Sequence, residues 1–294
     1  MSTELLLAQR AGTFSLGGDL TVSRLGFGTM QLPGPGVWGP PRDHDEAIRV
    51  LRRAIELGVN FIDTADSYGP YVAEELICEA LHPYPEGLVI ATKAGLTRFG
   101  PITGPGPAQW PPVGRPEYLR QEAEMSLRRM KLDRIDLFQL HRIDPKVPFE
   151  DQIGELKKLQ DEGKIRHIGL SAVSADQLTA ARKIAAVVSV QNQFNLTDRS
   201  AEPMLDYCTG QGIAFIPYRP LATGALAGPG SLLAELATKH HATPAQLALS
   251  WLLKRSPVML PIPGTSSVKH LEENMLGAGV ELTDGEFAEL SVVA

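Results

Sequence analysis

The chain has 294 residues, 43% hydrophobic and 21% charged, the balance of a folded globular protein and not of a disordered one. Its 28 basic and 34 acidic residues leave a formal charge of −6 with no basic stripe, which argues against nucleic acid as the main partner. The run Leu5–Ala8 is too short for a secretory core and no apolar stretch reaches a membrane span, so a cytoplasmic setting is expected.

The first pattern is a hairpin over Thr13–Val22, with Gly17-Gly18 at its turn. A buried strand is predicted at Leu25–Thr29, and alternation begins there. Helical spacing over Asp45–Leu57 precedes a strand at Val59–Thr64, and a helix at Glu74–Leu81 precedes a strand at Leu88–Thr92. Residues 97–116 are rich in Gly and Pro and read as a long rim loop carrying Trp110. Four further pairs follow: helix Glu117–Met130 with strand Ile135–Leu140, Phe149–Asp161 with His167–Leu170, Ala175–Ala185 with Val187–Gln191, and Ala201–Gln211 with Ile213–Pro217. Helices near Leu232–His240 and Pro244–Lys254 lead to a strand at Val258–Ile262. A helix at Val268–Leu276 and a helical tail at residues 284–294 close the chain.

Eight strands alternating with helices predict a parallel α/β architecture, and the length fits a (β/α)8 TIM barrel as one domain over 1–294. A doubly wound sheet is the rival. It is disfavoured because no dinucleotide-type glycine fingerprint follows the first strand. Cys78 and Cys208 fall in helical patterns and read as small core hydrophobes, and no spaced His/Cys cluster suggests a metal.

In a barrel, Asp63, Lys93 and His141 end the second, third and fourth strands, so all three reach one rim, with Tyr68 in the loop after Asp63. A tyrosine near pKa 10 is a weak acid at neutral pH, and a neighbouring lysine is expected to lower that value. Asp63 would hold Lys93, and His141 would orient an incoming oxygen. An acid over a carbonyl oxygen suits reduction, and no side chain donates hydride, so a cofactor must. Each residue has a bland reading as well. Alone, Asp63 could be a helix cap, Tyr68 a packing aromatic and His141 a structural histidine like His82, His167, His240 and His241. Lys93 resists such a reading, because a lysine closing an apolar strand needs a partner. Glu74 and Glu75 read as a solvated helix start. Trp38 and Trp110 are expected to overhang the rim, as pocket lining or as a barrel cap.

The motifs Gly26-Phe27-Gly28-Thr29-Met30, Ile62-Asp63-Thr64-Ala65-Asp66-Ser67-Tyr68-Gly69, Ala91-Thr92-Lys93, Asp136–His141, Ile168–Ser171, Val190–Asn195, Pro217–Leu221 and Ile262–Thr265 with Glu273-Asn274 stand in order at strand ends. Over nearly its whole length the sequence resembles the aldo-keto reductases. The resemblance implies a catalytic tetrad of Asp63, Tyr68, Lys93 and His141, and NADP(H) bound without a Rossmann fold. By it, Gly28 and Thr29 back the nicotinamide, Ser171 and Gln191 hold its carboxamide, and Tyr218 stacks on its ring. It further implies that Arg219, Pro220, Leu221, Ala222 and Gly224 wrap the pyrophosphate. Gly264, Thr265, Ser266 and His270 would meet the 2′-phosphate, and Glu273 and Asn274 the adenine.

There are departures. Ala172 stands where many members have Asn. Gly264 and His270 stand where several have Lys and Arg, leaving Thr265, Ser266, Ser267, Lys269 and a helix N-terminus for the phosphate. NADPH is therefore expected over NADH by a modest margin. The loop Gly34–Arg42 and the run Ile262–Ser267 resemble the bacterial group that includes pyridoxal reductases. Trp38 and Arg42 then become candidate substrate contacts with Trp110, and free pyridoxal is expected over its phosphate. The expected activity is reduction of a small aldehyde or ketone by a monomer or weak homo-oligomer. The alternatives are a coenzyme-binding regulatory subunit and an alcohol, sugar or steroid dehydrogenase working oxidatively.

Overall fold

The computed structural model describes residues 6–104, 110–221, 228 and 230–293. Strands β1 (Thr13–Leu16) and β2 (Leu20–Ser23) pair antiparallel as the expected hairpin, Leu16 opposite Leu20. Seven strands then pair in sequence order, all parallel: β3 (Phe27–Gly28), β4 (Phe61–Asp63), β5 (Val89–Ala94), β6 (Ile135–Leu140), β7 (Ile165–Ser171), β8 (Val187–Gln193) and β9 (Ala214–Tyr218). The fold is a (β/α)8 barrel with an N-terminal hairpin.

The expected eighth strand, Val258–Ile262, is not a continuous ladder. The segment occupies the eighth position through a single bridge, Met259 to Phe215. Phe215 N donates to Val258 O (2.9 Å), Leu260 N to Phe215 O (2.8 Å), and on the other side Gly26 N to Pro261 O (2.9 Å). Pro261 and Pro263 have no N–H to give, so the barrel closes on fewer hydrogen bonds than a strand would supply.

Alternation along the strands sorts side chains into two sets. Phe61, Val89, Ala91, Leu137, Ala214, Ile216, Leu260 and Ile262 pack together inside the barrel, with Leu16 and Val22 of the hairpin as a plug. The plug is fastened by Asp19, which meets His167 at 2.6 Å and Arg166 at 2.7 Å. Intervening residues such as Ile62, Ile90, Phe138, Leu170 and Phe215 face outward under the helices. The next inward positions beyond Phe61, Ala91 and Leu137 are Asp63, Lys93 and Gln139. The apolar interior therefore ends in a polar layer at the C-terminal mouth.

The helices are α1 (His44–Glu56), α2 (Val72–Leu81), α3 (Pro116–Met130), α4 (Phe149–Asp161), α5 (Ala175–Ala181), α6 (Glu202–Gln211), α7 (Leu232–Lys239), α8 (Pro244–Arg255), α9 (Val268–Leu276) and α10 (Asp284–Val293). Local chemistry sets their starts. Asp43 caps α1, while Ser174 and Thr243 form capping boxes with Gln177 and Gln246. The tail is a docked helix: Phe287 stacks on Trp251 at 5.8 Å, and Trp251 Nε1 donates to Ser291 Oγ at 2.9 Å. The rim loop is pinned at its feet, where Thr97 N donates to Pro111 O and Val113 N to Gly95 O, both at 3.0 Å. Cys78 and Cys208 are buried free thiols. Among the described residues no helix is long and apolar enough to cross a membrane.

Candidate active site

Strand β4 ends on Asp63, and the following turn brings Tyr68 back over it. Lys93 Nζ donates to Asp63 Oδ2 at 2.6 Å, to the Thr64 carbonyl at 2.8 Å and to Tyr68 Oη at 3.3 Å. All three ammonium hydrogens thus have an acceptor. Asp63 Oδ1 accepts from Gln139 Nε2 (3.0 Å) and Gln191 Nε2 (2.9 Å). Lys93 is fully buried and Asp63 is 1% exposed, and such an ion pair persists only with its remaining valences satisfied. Gly169 makes room for the Gln139 amide: a Cβ there would lie 2.3 Å from Ser189 Oγ and 2.8 Å from Gln139 Cγ.

Burial raises the Tyr68 hydroxyl above the ordinary tyrosine value. Lys93 pulls it down, and Asp63 adds to the rise. Lys93 acts in the expected direction, but the net shift is upward because desolvation of the buried phenol is the larger effect. Tyr68 is therefore a phenol at neutral pH. Burial alone would lower Lys93, but Asp63 and Tyr68 outweigh it, so the amine stays charged. Burial, then Lys93, Arg142 and Arg98, hold His141 well below the usual imidazole range, so its ring is neutral. Ser67 Oγ lies 3.3 Å from His141 Nδ1. With the hydroxyl donating there, the ring proton sits on Nε2, which becomes a donor. The rings of Tyr68 and His141 meet edge-on, 5.9 Å apart.

Trp110 lies 6.3 Å from both of those rings, so the structure brings it to the site. Trp38 is 36% exposed and its backbone bridges Gly69 beside Tyr68. Arg42 does not join this group. It is exposed and lines a groove of about 470 Å³ with Met30, Gln31, Val37, Ile102 and Ser266. The cation between the tryptophans is Arg98, 3.7 Å from the Trp110 centroid and 5.5 Å from that of Trp38. Its guanidinium donates to the carbonyls of Val37 and Ser67 at 2.8 Å and of Gly36 and Gly100 at 3.0 Å. Burial pulls its pKa down to about 10. Arg98 thus ties three loops together: the one carrying Trp38, the one carrying Tyr68, and the 97–104 segment.

The residues assigned to the coenzyme are placed as follows. Gly28 is register partner of Asp63, and Thr29 bonds the Asp63 carbonyl through N (3.0 Å) and Oγ1 (3.1 Å). Ser171 and Gln191 are register partners on β7 and β8, and Tyr218 pairs with Gln193. Arg142 Nη1 donates to Ser171 Oγ at 2.9 Å, and its guanidinium lies 5.6 Å from the Tyr218 ring. Ala172 has a left-handed φ of 53°, a conformation asparagine adopts more readily than alanine. Arg219 has φ 55° and its carbonyl accepts from Asn195 Nδ2 at 3.0 Å. Pro220 is buried and Leu221 partly so. Ala222 and Gly224 lie outside the described residues. Gly264 cannot be replaced by a lysine in place: its Cβ would stand 2.6 Å from the Gly28 carbonyl. Thr265 and Asn274 are buried, Glu273 is partly so, and Ser266 and His270 are exposed.

Sequence reasoning missed three features. Gln139 has a signal, an amide inside an otherwise apolar strand. Arg98 has none, because its partners are backbone carbonyls. Glu74 was expected to be solvated with Glu75; Glu75 is exposed, but Glu74 is fully buried. It accepts from Thr92 Oγ1 at 2.6 Å and from Arg129 Nε at 2.7 Å, partners invisible to a local reading. Beside this pair Asp66 is 1% exposed, and neither of its oxygens has a hydrogen-bond partner. Burial, then Glu74 and Glu122, raise its carboxyl well above the usual range. Among the described residues no His/Cys/Asp/Glu group is arranged to hold a metal.

Residues 24–294 match the Aldo/keto reductase family. The chain belongs to that family. It is 53% identical over 283 residues to an uncharacterized oxidoreductase of Schizosaccharomyces pombe, covering 96% of this chain and 90% of the relative. It is 43% identical over 290 residues to the pyridoxine 4-dehydrogenase of Escherichia coli, covering 97% and 99%. Among solved structures it superposes on an aldo-keto reductase from Klebsiella pneumoniae in complex with NADPH, with TM-score 0.81, 25% identity, and 96% and 94% of the chains covered. This aldo-keto reductase is an oxidoreductase with the barrel of its relatives.

Proposed function

We propose that this reductase converts an aldehyde to its alcohol with NADPH, Tyr68 delivering the proton. The observation that carries the reading is the buried chain Asp63–Lys93–Tyr68 facing a neutral His141. The register pair Ser171 and Gln191 with Tyr218, and the close approach of Gly28 to Gly264, form a rim with the polar groups and small residues a dinucleotide needs. Bound there, the dihydronicotinamide supplies the hydride. His141 Nε2 donates to the carbonyl oxygen and fixes it beside Tyr68 Oη. As negative charge grows on that oxygen the Tyr68 proton moves to it, and Lys93 at 3.3 Å stabilises the phenolate left behind. Asp63, with its three donors, keeps the ammonium in place. The apolar barrel below and Trp110 above exclude water from the transfer.

For the substrate we propose pyridoxal, as the free aldehyde. The relative named pyridoxine 4-dehydrogenase supports an alcohol–aldehyde pair on a pyridine ring. Trp38 and Trp110 offer flat faces to such a ring. Arg98 already donates to four carbonyls, so it offers little to a phosphate ester. The test is a panel of pyridoxal, pyridoxal phosphate and small aliphatic aldehydes, each with NADPH and with NADH. Pyridoxal turnover should exceed that of its phosphate and fall further on Trp38→Ala than turnover of an aliphatic aldehyde does. Simple aldehydes reduced without pyridoxal would reject the substrate. No coenzyme oxidation with any carbonyl would favour a regulatory coenzyme-binding role instead.

A further inference from the structure

The start of α9 is the place to which the NADPH reading assigns the 2′-phosphate, and two of the backbone donors there already have acceptors within this chain. Ser267 N donates to Thr265 Oγ1 at 3.2 Å. Val268 N donates to Glu46 Oε1 at 2.9 Å, from the first turn of α1. A carboxylate of this chain therefore sits on the helix end that would attract an anion. The other oxygen, Glu46 Oε2, takes Arg49 Nε at 2.9 Å and Nη2 at 2.8 Å. Glu46 is itself held in position, its backbone N–H capped by Asp43 Oδ1 at 2.8 Å. Gly264 has no room for a side chain, Lys269 and His270 are exposed, and Arg42, also exposed, lines the groove it shares with Ser266.

We propose that Glu46 sets the coenzyme preference of this reductase, opposing the 2′-phosphate of NADPH and leaving NADH unaffected, with Arg49 moderating the opposition. The inference rests on the proposed binding of the coenzyme tail at Thr265–His270. A helix end accommodates one anion well. A phosphate arriving there meets the Glu46 charge and competes for its amide, whereas a 2′-hydroxyl does neither. Arg49 cancels part of the Glu46 charge while the two are paired. Removing the carboxylate both deletes the repulsion and releases a guanidinium that can turn to the phosphate. Removing the guanidinium leaves Glu46 unbalanced and should act in the opposite direction.

The test is equilibrium titration of NADPH and NADH by fluorescence, without substrate, on wild type, Glu46→Gln and Arg49→Gln. The glutamine of Glu46→Gln keeps an oxygen to accept from Val268 N–H, so the α1–α9 contact survives. Charges at a helix N-terminus shift equilibria by roughly 2- to 30-fold, so Glu46→Gln should tighten NADPH by about 3- to 10-fold. NADH should stay within about twofold. Arg49→Gln should weaken NADPH several-fold, again sparing NADH. If Glu46→Gln does not fold, the Arg49→Gln arm decides alone. NADPH affinity unchanged or weakened in Glu46→Gln, or both coenzymes moving together, overturns the role of Glu46 while leaving the reductase intact. Wild-type protein binding neither coenzyme would instead reject the coenzyme reading and this inference with it.

Discussion

Lys93→Met removes one member of a pair with no solvent to replace it. Lys93 is 0% and Asp63 1% exposed, and the Nζ–Oδ2 distance is 2.6 Å. Breaking such a pair from one side costs about 3–5 kcal/mol, since the other charge is left buried. Gln139 and Gln191 still donate to Oδ1, which holds the cost near the lower end, about 3 kcal/mol. For a chain of 294 residues that lowers Tm by roughly 5 °C. Differential scanning calorimetry measures it, and the double variant Asp63→Asn/Lys93→Met should regain most of the loss, because no lone charge remains. A single variant within about 2 °C of wild type, or a double variant no more stable than the single, would refute the picture of a tightly coupled buried pair. Activity gives a second reading. Lys93 pulls the Tyr68 pKa down, so its loss raises that value further. Alcohol oxidation needs the phenolate, and its rising limb should therefore move to higher pH.

Two further outcomes follow from burial. His141 has its folded pKa depressed, so the unfolded chain binds more protons below about pH 6.5, and stability is lost as pH falls through that range. His141→Gln should abolish that part of the loss: its Tm deficit relative to wild type should shrink between pH 7.5 and pH 5, and a constant deficit would contradict the neutral ring. Asp66 has its folded pKa raised, so its contribution worsens as pH rises above the unfolded value near 4. Asp66→Asn should stabilise the chain at pH 8 by at least about 1 kcal/mol, with a smaller gain at pH 5, and a destabilised variant at pH 8 would show that the carboxylate has a partner.

The barrel was legible because parallel strands are buried on both faces and read as apolar runs at regular intervals. The convergence of Asp63, Lys93 and His141 on one rim followed from strand ends, and Tyr68 from the short loop after Asp63. What the sequence hid was long-range or backbone-mediated. Val258–Ile262 has a strand's composition, but Pro261 within it and Pro263 after it thin the ladder. Glu74 looks like a helix start until Thr92 and Arg129 fold against it. Arg98 stands in a Gly- and Pro-rich loop and takes its partners from carbonyls, which every sequence has. Arg42 follows Trp38 closely in the chain, yet it lines a groove with Ser266, and the cation over the tryptophan rings is Arg98. The downward pull of Lys93 on the Tyr68 pKa is visible in sequence, and the larger rise from burial is not.

The central claim is that Tyr68 gives the proton in carbonyl reduction, and Tyr68→Phe tests it most directly. Only the hydroxyl is removed, and the ring still packs against Trp110 and His141. General acids contribute about 10²–10⁴-fold, so kcat for aldehyde reduction should fall by that factor while the NADPH Kd stays within about twofold. Reduction at wild-type rate by the phenylalanine variant would contradict the account.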